Sequence, residues 1–311
     1  MLKILKAALI AGLVLGAALL TLGVLAHWYP ALDIVNNGLP VLAVGGIVLL
    51  VLAFAVRDRT LITAAAAFIA VTFALLLSGL SGAAPQAPDG AARFLRVATF
   101  NLWGRNDHHL NQVAAFLAET KADAVVLEEV RGHHKDFLES LAAQYPYRVG
   151  DNGLAILSKH PIVADGLVDR GGQPFWMSRI IRWVRLDVNG TEVELAGVHL
   201  ARPFYADLQE ADIVALTTFV QERTGPLIVA GDFNMAPWTV KLKTFTKATG
   251  LGRFNTFYPT WPVRWKTLPL LPLVPIDNVF TTAHFAKIDA RVGPRLDSDH
   301  RPVIADIALI E

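Results

Sequence analysis

Cysteine is absent from the 311-residue chain. Disulfide bonds, thiolate metal sites and a cysteine nucleophile are therefore excluded. Charged residues are also scarce, because they make up 18% of the chain where an ordinary soluble domain has about 25%. Hydrophobic residues make up 53%. Part of the chain is therefore expected to lie outside water.

A strong net charge is missing as well, because 28 basic and 27 acidic residues give +1. Four of the basic and three of the acidic residues precede Ala91, which leaves 24 of each sign after that point. DNA binding usually shows a basic footprint. The composition does not favour a nucleic-acid partner, although a local basic patch would leave this total unchanged.

Three stretches near the N-terminus contain no charged residue, at 7–26, 38–56 and 61–80. A helix needs roughly 20 apolar residues to cross a hydrocarbon core of about 30 Å, so each stretch is long enough. A signal peptide would explain only the first stretch. Buried core helices are rarely apolar on all sides over this length. We therefore predict a membrane domain over residues 1–81 with three transmembrane helices.

The positive charges around these stretches predict their orientation. Lys3 and Lys6 precede the first stretch, Arg57 and Arg59 separate the second from the third, and residues 27–37 contain no Lys or Arg. The positive-inside bias places the N-terminus in the cytoplasm. Three crossings then put the rest of the chain on the extracytoplasmic side, which is the periplasm if the protein lies in the inner membrane of a Gram-negative cell.

Residues 82–92 (GAAPQAPDGAA) are small and contain proline, which is typical of a linker. In residues 93–311, short apolar runs alternate with helical patterns. Strands are predicted at 94–100, 124–127, 154–157, 181–188, 193–198, 227–230, 278–280 and 303–307. Helices are predicted from Asn106 or Asp107, either of which can cap, to about 119, and over 207–222. This pattern indicates a layered α/β domain.

Several predicted strands end in acidic, amide or histidine side chains, which are costly to bury without a partner or a metal. Strand ends are also where a layered sheet presents groups to a shared cleft. The fragments are ATFNLW with Asn101, AVVLEEV with Glu128 and Glu129, AGVHL with His199, VAGDFN with Asp232 and Asn234, PIDNVF with Asp277, and LDSDHRPV with Asp297, Asp299 and His300.

Each fragment alone has an ordinary explanation. Asp232 and Asn234 fit an Asx-turn, Glu129 a solvated strand end, and His199 a hydrogen-bonded core histidine. Taken together, the fragments favour an active site over these ordinary explanations. Carboxylate and amide oxygens suit Mg²⁺ or Mn²⁺, while histidine beside a carboxylate suits proton transfer or phosphate contact.

In order along the chain, FNLW, LEEV, VHL, GDFN, IDNVF and SDHRPV resemble the endonuclease/exonuclease/phosphatase superfamily. This superfamily includes DNase I-like nucleases, abasic-site endonucleases, inositol-polyphosphate phosphatases and neutral sphingomyelinases. The resemblance extends from residue 94 to the C-terminus. It implies a four-layer α/β sandwich (DNase I-like), preceded here by the three transmembrane helices, and a Mg²⁺- or Mn²⁺-dependent phosphoric ester hydrolase.

The resemblance also implies which residues bind the metal. Glu129, with help from Asn101, corresponds to the main metal site, and Asp299 corresponds to a residue that often lies close to the metal. Glu129 is preferred over Glu128 because the family usually has Gln followed by Glu at these positions.

Catalytic roles follow from the same resemblance. Asp232 would orient or deprotonate the attacking water, and Asn234 would contact the phosphate. His300 would stabilise the transition state, held in its tautomer by Asp277. His199 matches the histidine that phosphatase and sphingomyelinase branches use against the scissile phosphate.

Substrate contacts are predicted from other features. Arg179 and Arg202 suit phosphate because guanidinium binds it bidentately, although both also fit surface arginines. Together with Trp238, an apolar segment predicts a rim beside the cleft that suits a bilayer surface, unless it packs on the domain or the helices. Its members are Trp261, Pro262, Val263, Trp265, Leu268, Leu270, Leu271, Leu273 and Val274, with Arg264 and Lys266 between them.

The predicted function is therefore a membrane-anchored phosphodiesterase or phosphatase whose substrate is a phospholipid or another membrane-proximal phosphoester. Two alternatives stay open: a membrane-tethered endonuclease or exonuclease that acts on DNA, and a non-catalytic membrane scaffold with this fold. The sequence predicts no oligomeric state.

Overall fold

The computed structural model of the protein describes residues 2–106, 109–169, 181–255, 257–265 and 268–310. The chain forms two compact units. The helical unit consists of Met1–Ser81 together with Ala236–Lys243, and the sheet unit consists of Gly82–Met235 and Thr244–Glu311. A short segment that follows the GDFN motif thus belongs to the helical unit.

The helical unit contains α1 (Leu2–Leu25), α2 (Ile34–Asn37), α3 (Leu39–Ala55) and α4 (Arg59–Leu77), with 3-10 turns at Pro30–Asp33 and Ser78–Leu80. Two helical segments, Leu2–Leu25 and Arg59–Leu80, are long and apolar enough to cross a membrane. The 17-residue α3 qualifies only together with Pro30–Asn37, from which it is bent by 53°. Two or three spans are therefore compatible with this unit, and the predicted third span stays a prediction.

Glycine and one ion pair fix the packing of these helices. A Cβ atom at Gly16 or Gly46 would lie within 2.9 Å of the Phe68 ring, so the absence of a side chain lets the helices approach closely. Lys6 Nζ lies 2.8 Å from Asp58 Oδ2. Asp58 also accepts hydrogen bonds from the backbone N–H groups of residues 60 and 61, and so caps the N-terminus of α4.

The sheet unit contains two mixed sheets. The first has the strand order β12-β13-β1-β2-β3 and the second β4-β5-β6-β7-β11-β8, while β9 and β10 form a hairpin. The strands are β1 (Leu95–Asn101), β2 (Ala124–Val130), β3 (Tyr147–Ser158), β4 (Ile162–Leu167), β5 (Ile181–Val188), β6 (Thr191–His199), β7 (Leu227–Asp232), β8 (Gly252–Arg253), β9 (Arg264–Trp265), β10 (Leu268–Pro269), β11 (Asp277–Thr281), β12 (Phe285–Val292) and β13 (Val303–Leu309). The helices are α5 (Leu110–Thr120), α6 (Lys135–Ser140), α7 (Ala206–Gln221) and α8 (Val240–Thr249).

Apolar side chains from both sheets form one buried core, which includes Val97, Val126, Leu195, Ile228 and Val279. A second cluster joins the first sheet to α5 and α6. On the second sheet, the rings of Phe233, Phe245 and Phe280 pack together, with centroids 5.1–6.0 Å apart. The predicted α/β class is confirmed: two mixed sheets pack through a shared core and carry helices.

Most predicted strands lie where the sequence placed them, and β1, α5 and β2 form the expected unit with parallel strands. The predicted helix cap at Asn106 is wrong. Helix α5 begins at Leu110, and Asn106 Nδ2 instead donates a hydrogen bond to the Leu296 carbonyl at 3.0 Å. The alternative cap, Asp107, lies outside the described residues.

The segment predicted as a linker runs along the edges of both sheets. The N–H of Ala84 donates to the Arg253 carbonyl of β8, and the N–H of Ala87 donates to the Lys287 carbonyl of β12, both at 2.8 Å. Strands β8 and β12 are outer strands of their sheets. These bonds satisfy backbone groups that an open sheet edge would leave unpaired.

One ion pair joins β1 to β13 in the first sheet. Arg96 Nη2 lies 2.8 Å from Asp306 Oδ2, and Arg96 Nη1 donates to the Thr120 carbonyl at 2.7 Å. Burial alone would raise the pKa of Asp306, but Arg96 and Arg291 outweigh burial and hold that pKa below its usual value.

Replacing Asp306→Asn should lower the free energy of unfolding at pH 7 by about 1–3 kcal/mol, because Arg96 keeps its charge and loses its partner. The native protein should be more stable than the variant by this full amount above a pH of about 4. The difference should disappear as pH falls further, because the Asp306 carboxylate is then protonated. Urea unfolding in detergent would measure both effects. The matched control Asp289→Asn alters a 53%-exposed carboxylate and should cost at most about 0.5 kcal/mol. Equal losses in the two variants would contradict the prediction.

Candidate active site

Three neighbouring strands of the second sheet bring polar residues side by side. In the β6–β7 register His199 pairs with Asp232, and in the β7–β11 register Asp277 pairs with Asp232. Gly231 makes this alignment possible, because its φ of 150° and a collision of any Cβ with the Val198 carbonyl exclude a side chain. Asn101 lies at the end of β1 in the other sheet.

Hydrogen bonds connect the two sheets at this end. Asn101 Nδ2 donates to Asp232 Oδ2 at 3.0 Å. Ser298 Oγ donates to the Asn101 carbonyl at 2.7 Å and accepts a bond from the His300 N–H at 3.0 Å. Residues from β1, β7 and the loop before β13 are therefore held in one place.

The side chains of the cluster lie within a few ångströms of one another. His300 Nδ1 donates to Asp277 Oδ2 at 2.9 Å, and His300 Nε2 lies 3.8 Å from Asp232 Oδ2. His199 Nε2 lies 3.6 Å from Asp232 Oδ2 and 3.9 Å from Glu129 Oε1. Arg202 Nη2 reaches Glu129 Oε1 at 3.3 Å.

Several residues of the site have a left-handed backbone conformation, which determines the direction of their side chains. Glu129, Asn234 and Trp103 have φ values of 56°, 52° and 57°, which are uncommon for residues other than glycine. Glu129 lies at an irregularity in the β2–β3 pairing, and Oε2 accepts a bond from the Gly104 N–H at 2.8 Å. Such conformations persist only where the surroundings enforce them, and they concentrate at functional sites.

Burial controls the protonation of Asp232 and His300. Burial raises the pKa of Asp232 to about 7; Asp277 adds to this rise, and His300 opposes it. For His300, burial favours the neutral form, but Asp277 and Asp232 outweigh burial and raise the pKa to about 10. At neutral pH the imidazole is thus charged, while Asp232 can take up or release a proton.

Glu128 differs from its neighbour Glu129. Burial, together with Asp277 and Asp232, raises the pKa of Glu128 well above its usual range, although Thr99 and His300 act in the opposite direction. Thr99 Oγ1 donates to Oε1, while Oε2 has no hydrogen-bond partner among the residues that the structure describes. A protonated Glu128 is a poor ligand, which supports the preference for Glu129 as the metal residue.

Supporting residues that the sequence did not identify surround the cluster. Asn255 Nδ2 donates to the Asp277 carbonyl at 2.7 Å. From α7, Asp212 accepts a bond from the Ala201 N–H at 2.7 Å, and Gln209 donates to the Ala201 carbonyl at 2.9 Å. The buried polar positions of α7 were a possible signal for the last two residues, whereas Asn255 follows no pattern in the sequence.

The structure brings together most of the predicted site residues: Asn101, Glu129, His199, Arg202, Asp232, Asn234, Asp277 and His300. The half-buried Asp299 adjoins His300, and its carboxylate raises the pKa of that imidazole. Arg179 lies outside the described residues. The roles assigned to all of these residues stay predictions.

Trp238 does not occupy the predicted rim. It is 3% exposed, belongs to the helical unit and donates from Nε1 to the Asn36 carbonyl at 2.7 Å. A buried indole that is hydrogen-bonded in this way does not present its ring to a substrate. The predicted contact between Trp238 and the substrate is therefore wrong.

The donor set fits a divalent cation. Ligand atoms of Asp232, Asp277 and His300 all lie within 4.8 Å of one another. The Asn101 amide bonds to Asp232, and the Glu129 carboxylate lies beside His199, which in turn adjoins Asp232. Carboxylate and amide oxygens are the ligands that Mg²⁺ and Mn²⁺ prefer. Several buried carboxyl groups around a single imidazolium would also gain from a positive ion.

Solved structures share this fold. A family protein from Bacteroides thetaiotaomicron is 19% identical, with a TM-score of 0.58 over 70% of this chain and 95% of its own. Sphingomyelinase C from Streptomyces griseocarneus is 20% identical, with a TM-score of 0.54 over 68% and 98% of the two chains. D. rerio TDP2, complexed with single strand DNA product, is 16% identical, with a TM-score of 0.60 over 68% and 98%.

No curated protein matches the chain in sequence. A sequence profile of the Endonuclease/Exonuclease/phosphatase family, however, matches residues 98–300, which is more than half of the chain. This span contains every residue of the cluster described above. The chain therefore belongs to the endonuclease/exonuclease/phosphatase family.

Proposed function

We propose that this protein is a membrane-anchored, divalent-metal-dependent phosphoester hydrolase in which water attacks a phosphate of a lipid or another membrane-proximal substrate. The observation that carries the proposal is the meeting of acids, amides and histidines where the strands of both sheets end. Members of the family are generally metal-dependent phosphoester hydrolases.

In this proposal Asp232 orients the attacking water and accepts its proton. A base works best when its pKa lies near the operating pH, and the pKa of Asp232 is raised to about 7. The protonated His300 donates a hydrogen bond to the charge that develops on the phosphoryl oxygens. Asp277 accepts a hydrogen bond from His300 Nδ1, which leaves Nε2 free to donate to the reacting group.

Three side chains contact the phosphate. His199 Nε2 lies between Asp232 and Glu129, and the half-exposed guanidinium of Arg202 adjoins Glu129. Asn234 is fixed by bonds from its N–H to Asp232 Oδ1 at 2.8 Å and from Nδ2 to the Leu200 carbonyl at 2.9 Å. Fixed polar groups of this kind stabilise a transition state without having to reorganise.

Glu129 and Asn101 would hold the metal ion, with Asp299 nearby, as the family resemblance implies. When bound, Mg²⁺ or Mn²⁺ supplies charge neutralisation at the phosphate.

Residues 1–81 act as the membrane domain in this proposal, residues 82–92 as a linker, and residues 93–311 as the catalytic domain. The apolar helices Leu2–Leu25 and Arg59–Leu80 support anchoring in a membrane. With a third span through α3, the basic residues before α1 and between α3 and α4 favour a catalytic domain on the extracytoplasmic side of the inner membrane.

Exposed apolar side chains favour a lipid substrate. Phe204 and Tyr205 lie two and three residues after Arg202 and are 79% and 61% exposed. Leu268 and Leu271 lie in and beside the β9–β10 hairpin and are 61% and 76% exposed. Backbone bonds at 3.0 Å, between residues 263 and 299 and between residues 260 and 301, join this region to the loop of His300. We call these four side chains the apolar rim.

The predicted apolar segment thus divides in two. Val263 and Val274 are buried in the sheet unit, as the packing alternative expected, whereas Leu268 and Leu271 face outward. Exposed apolar side chains beside polar site residues suit a bilayer surface.

A nuclease stays the second candidate, because one similar structure, that of D. rerio TDP2, holds a single strand DNA product, while another is a sphingomyelinase C. The balanced charge of the chain favours the lipid over DNA. The filled set of polar positions argues against a scaffold without catalytic activity.

The first test is a Mg²⁺- and Mn²⁺-dependent hydrolysis screen of detergent-purified protein against phospholipids, sphingomyelin, inositol phosphates, nucleotides and DNA. Asp232→Asn should lower kcat by about 10²–10⁴-fold, because the general base is lost while the shape of the side chain is kept. The control Asp187→Asn, at the β5–β6 turn, should leave kcat unchanged. Cleavage of DNA with intact lipids would identify a nuclease, and an inactive folded protein would favour the scaffold.

Asp277 and His300 should act as one unit. Asp277→Asn and His300→Gln should each lower kcat by about 10²-fold or more, and the double variant should lose little beyond the worse single variant. Steady-state kinetics of the four proteins would measure this coupling. Losses that multiply in the double variant would show that the two residues act independently.

The apolar rim should matter only for substrates within a bilayer. Phe204→Ser and Leu271→Ser should raise KM for phospholipid vesicles about tenfold, roughly the effect of losing 1–2 kcal/mol of apolar burial. Neither change should affect a soluble short-chain substrate. The control Val163→Ser alters a similarly exposed apolar side chain on β4 and should change neither activity. Equal effects on vesicles and soluble substrate would rule out the surface role.

A further inference from the structure

The segment that follows the GDFN motif is built into the helical unit. Ala236–Lys243 clusters with Met1–Ser81, although the residues on either side belong to the sheet unit. The N–H of Ala236 donates to Asn37 Oδ1 at 2.9 Å, and Lys243 Nζ donates to Ser78 Oγ at 3.3 Å. Both ends of the segment are therefore tied to the helices of the N-terminal region.

Asp33 makes the central contact of this segment. Its carboxylate is 4% exposed and accepts the backbone N–H groups of Val240 and Lys241, both at 2.9 Å. These groups lie in the first turn of the ten-residue helix α8. A negative charge at a helix N-terminus is favourable because the first N–H groups carry partial positive charge. Asp33 thus caps α8 from a distant part of the chain.

Asn36 holds Asp33 in place. Asn36 Nδ2 donates to Asp33 Oδ1 at 2.8 Å and to the Gly23 carbonyl of α1 at 3.0 Å, and its own carbonyl accepts the Trp238 indole N–H. The turn between α1 and α3 therefore presents a fixed set of acceptors to residues 236–241.

The segment that contacts the helices is connected to the candidate active site by a very short stretch of chain. One residue, Met235, separates Ala236 from Asn234, and two residues of chain span at most about 7 Å. The N–H of Asn234 in turn donates to Asp232 Oδ1 at 2.8 Å. Two residues of chain and one hydrogen bond therefore join Ala236 to the carboxylate of Asp232.

We infer that Asp33 is a positioning residue for catalysis: by capping α8 it fixes the backbone that carries Asp232 and Asn234. The inference rests on the proposed hydrolase function. It gives the N-terminal helices a second task besides anchoring, because the GDFN loop takes its geometry from a turn between them. A misplacement of about 1 Å at a reacting group can cost up to 10²-fold in rate.

The test compares full-length Asp33→Ala with Asp58→Ala, on the substrate that the screen identifies. Asp58 is a matched control, because it caps a helix in the same unit through the N–H groups of Thr60 and Leu61 and makes no bond to residues 236–243. Asp33→Ala should lower kcat about tenfold or more with KM within about twofold, and Asp58→Ala should keep kcat. Asp33→Asn retains one acceptor oxygen and should recover part of the loss. Asn37→Ala, a milder change, should lower kcat severalfold.

Amide hydrogen exchange gives a readout that does not depend on activity. Residues 233–235 and 240–241 should exchange faster in Asp33→Ala than in the native protein, and at the native rate in Asp58→Ala. Equal losses of kcat in both variants, or native exchange and native kcat in Asp33→Ala and Asn37→Ala, would overturn the inference. If the native protein hydrolyses no substrate, the proposed function fails, and the exchange pattern still decides whether Asp33 fixes the loop.

Discussion

The pairing of β7 with β6 and β11 determines where the three polar side chains at the centre of the candidate site lie. Asp232 ends β7 level with His199 on one side and Asp277 on the other. A shift of one residue would turn Asp232 to the opposite face of the sheet, because side chains alternate along a strand. The apolar core between the sheets opposes such a shift, since Ile228 and Ala230 belong to that core and would be turned away from it. Packing far from the site thus sets the positions of the atoms at its end.

This arrangement concentrates acidic groups above an apolar core. Glu128, Asp232 and Asp277 are almost fully buried, and His300 bonds directly to the Asp277 carboxylate. The site limits its negative charge in two ways, because burial raises the pKa of Glu128 well above its usual range and raises the pKa of Asp232 to about 7. A divalent cation would remove the remaining imbalance. The same low polarity strengthens each hydrogen bond that a bound phosphate would receive.

The residues of the candidate site are easier to predict from the sequence than the helix and the distant contacts that hold them in place. Residues such as Asn101, His199 and Asp232 follow apolar runs that end in polar groups, a pattern that is visible without coordinates. Helix α8 was not predicted, because VKLKTFTKAT is rich in β-branched residues with low helix propensity. Thr239 accepts the Leu242 N–H at 3.4 Å as a local cap, but the acceptor of the Val240 N–H lies 207 positions earlier in the chain, so no local window contains that contact.

Trp238 was predicted to contact the substrate, and its burial was likewise not visible in the sequence. An aromatic residue after GDFN suggested a surface contact, whereas its indole is buried and bonded to Asn36. Composition alone does not tell an exposed aromatic side chain from one that anchors a distant segment. Strand β12 was missed because FAKIDARV alternates only weakly between apolar and polar residues. Tertiary contacts decide such segments.

The backbone bonds of residues 82–92 affect how the protein can be shortened. Ala84 and Ala87 cover β8 and β12, the outer strands of the two sheets. A soluble fragment that begins at residue 93 would uncover both strands at once and leave their N–H and C=O groups as templates for strands of other molecules. Such a fragment would retain every residue of the candidate site and still be prone to aggregate. A fragment that keeps these edges closed must begin at or before Gly82.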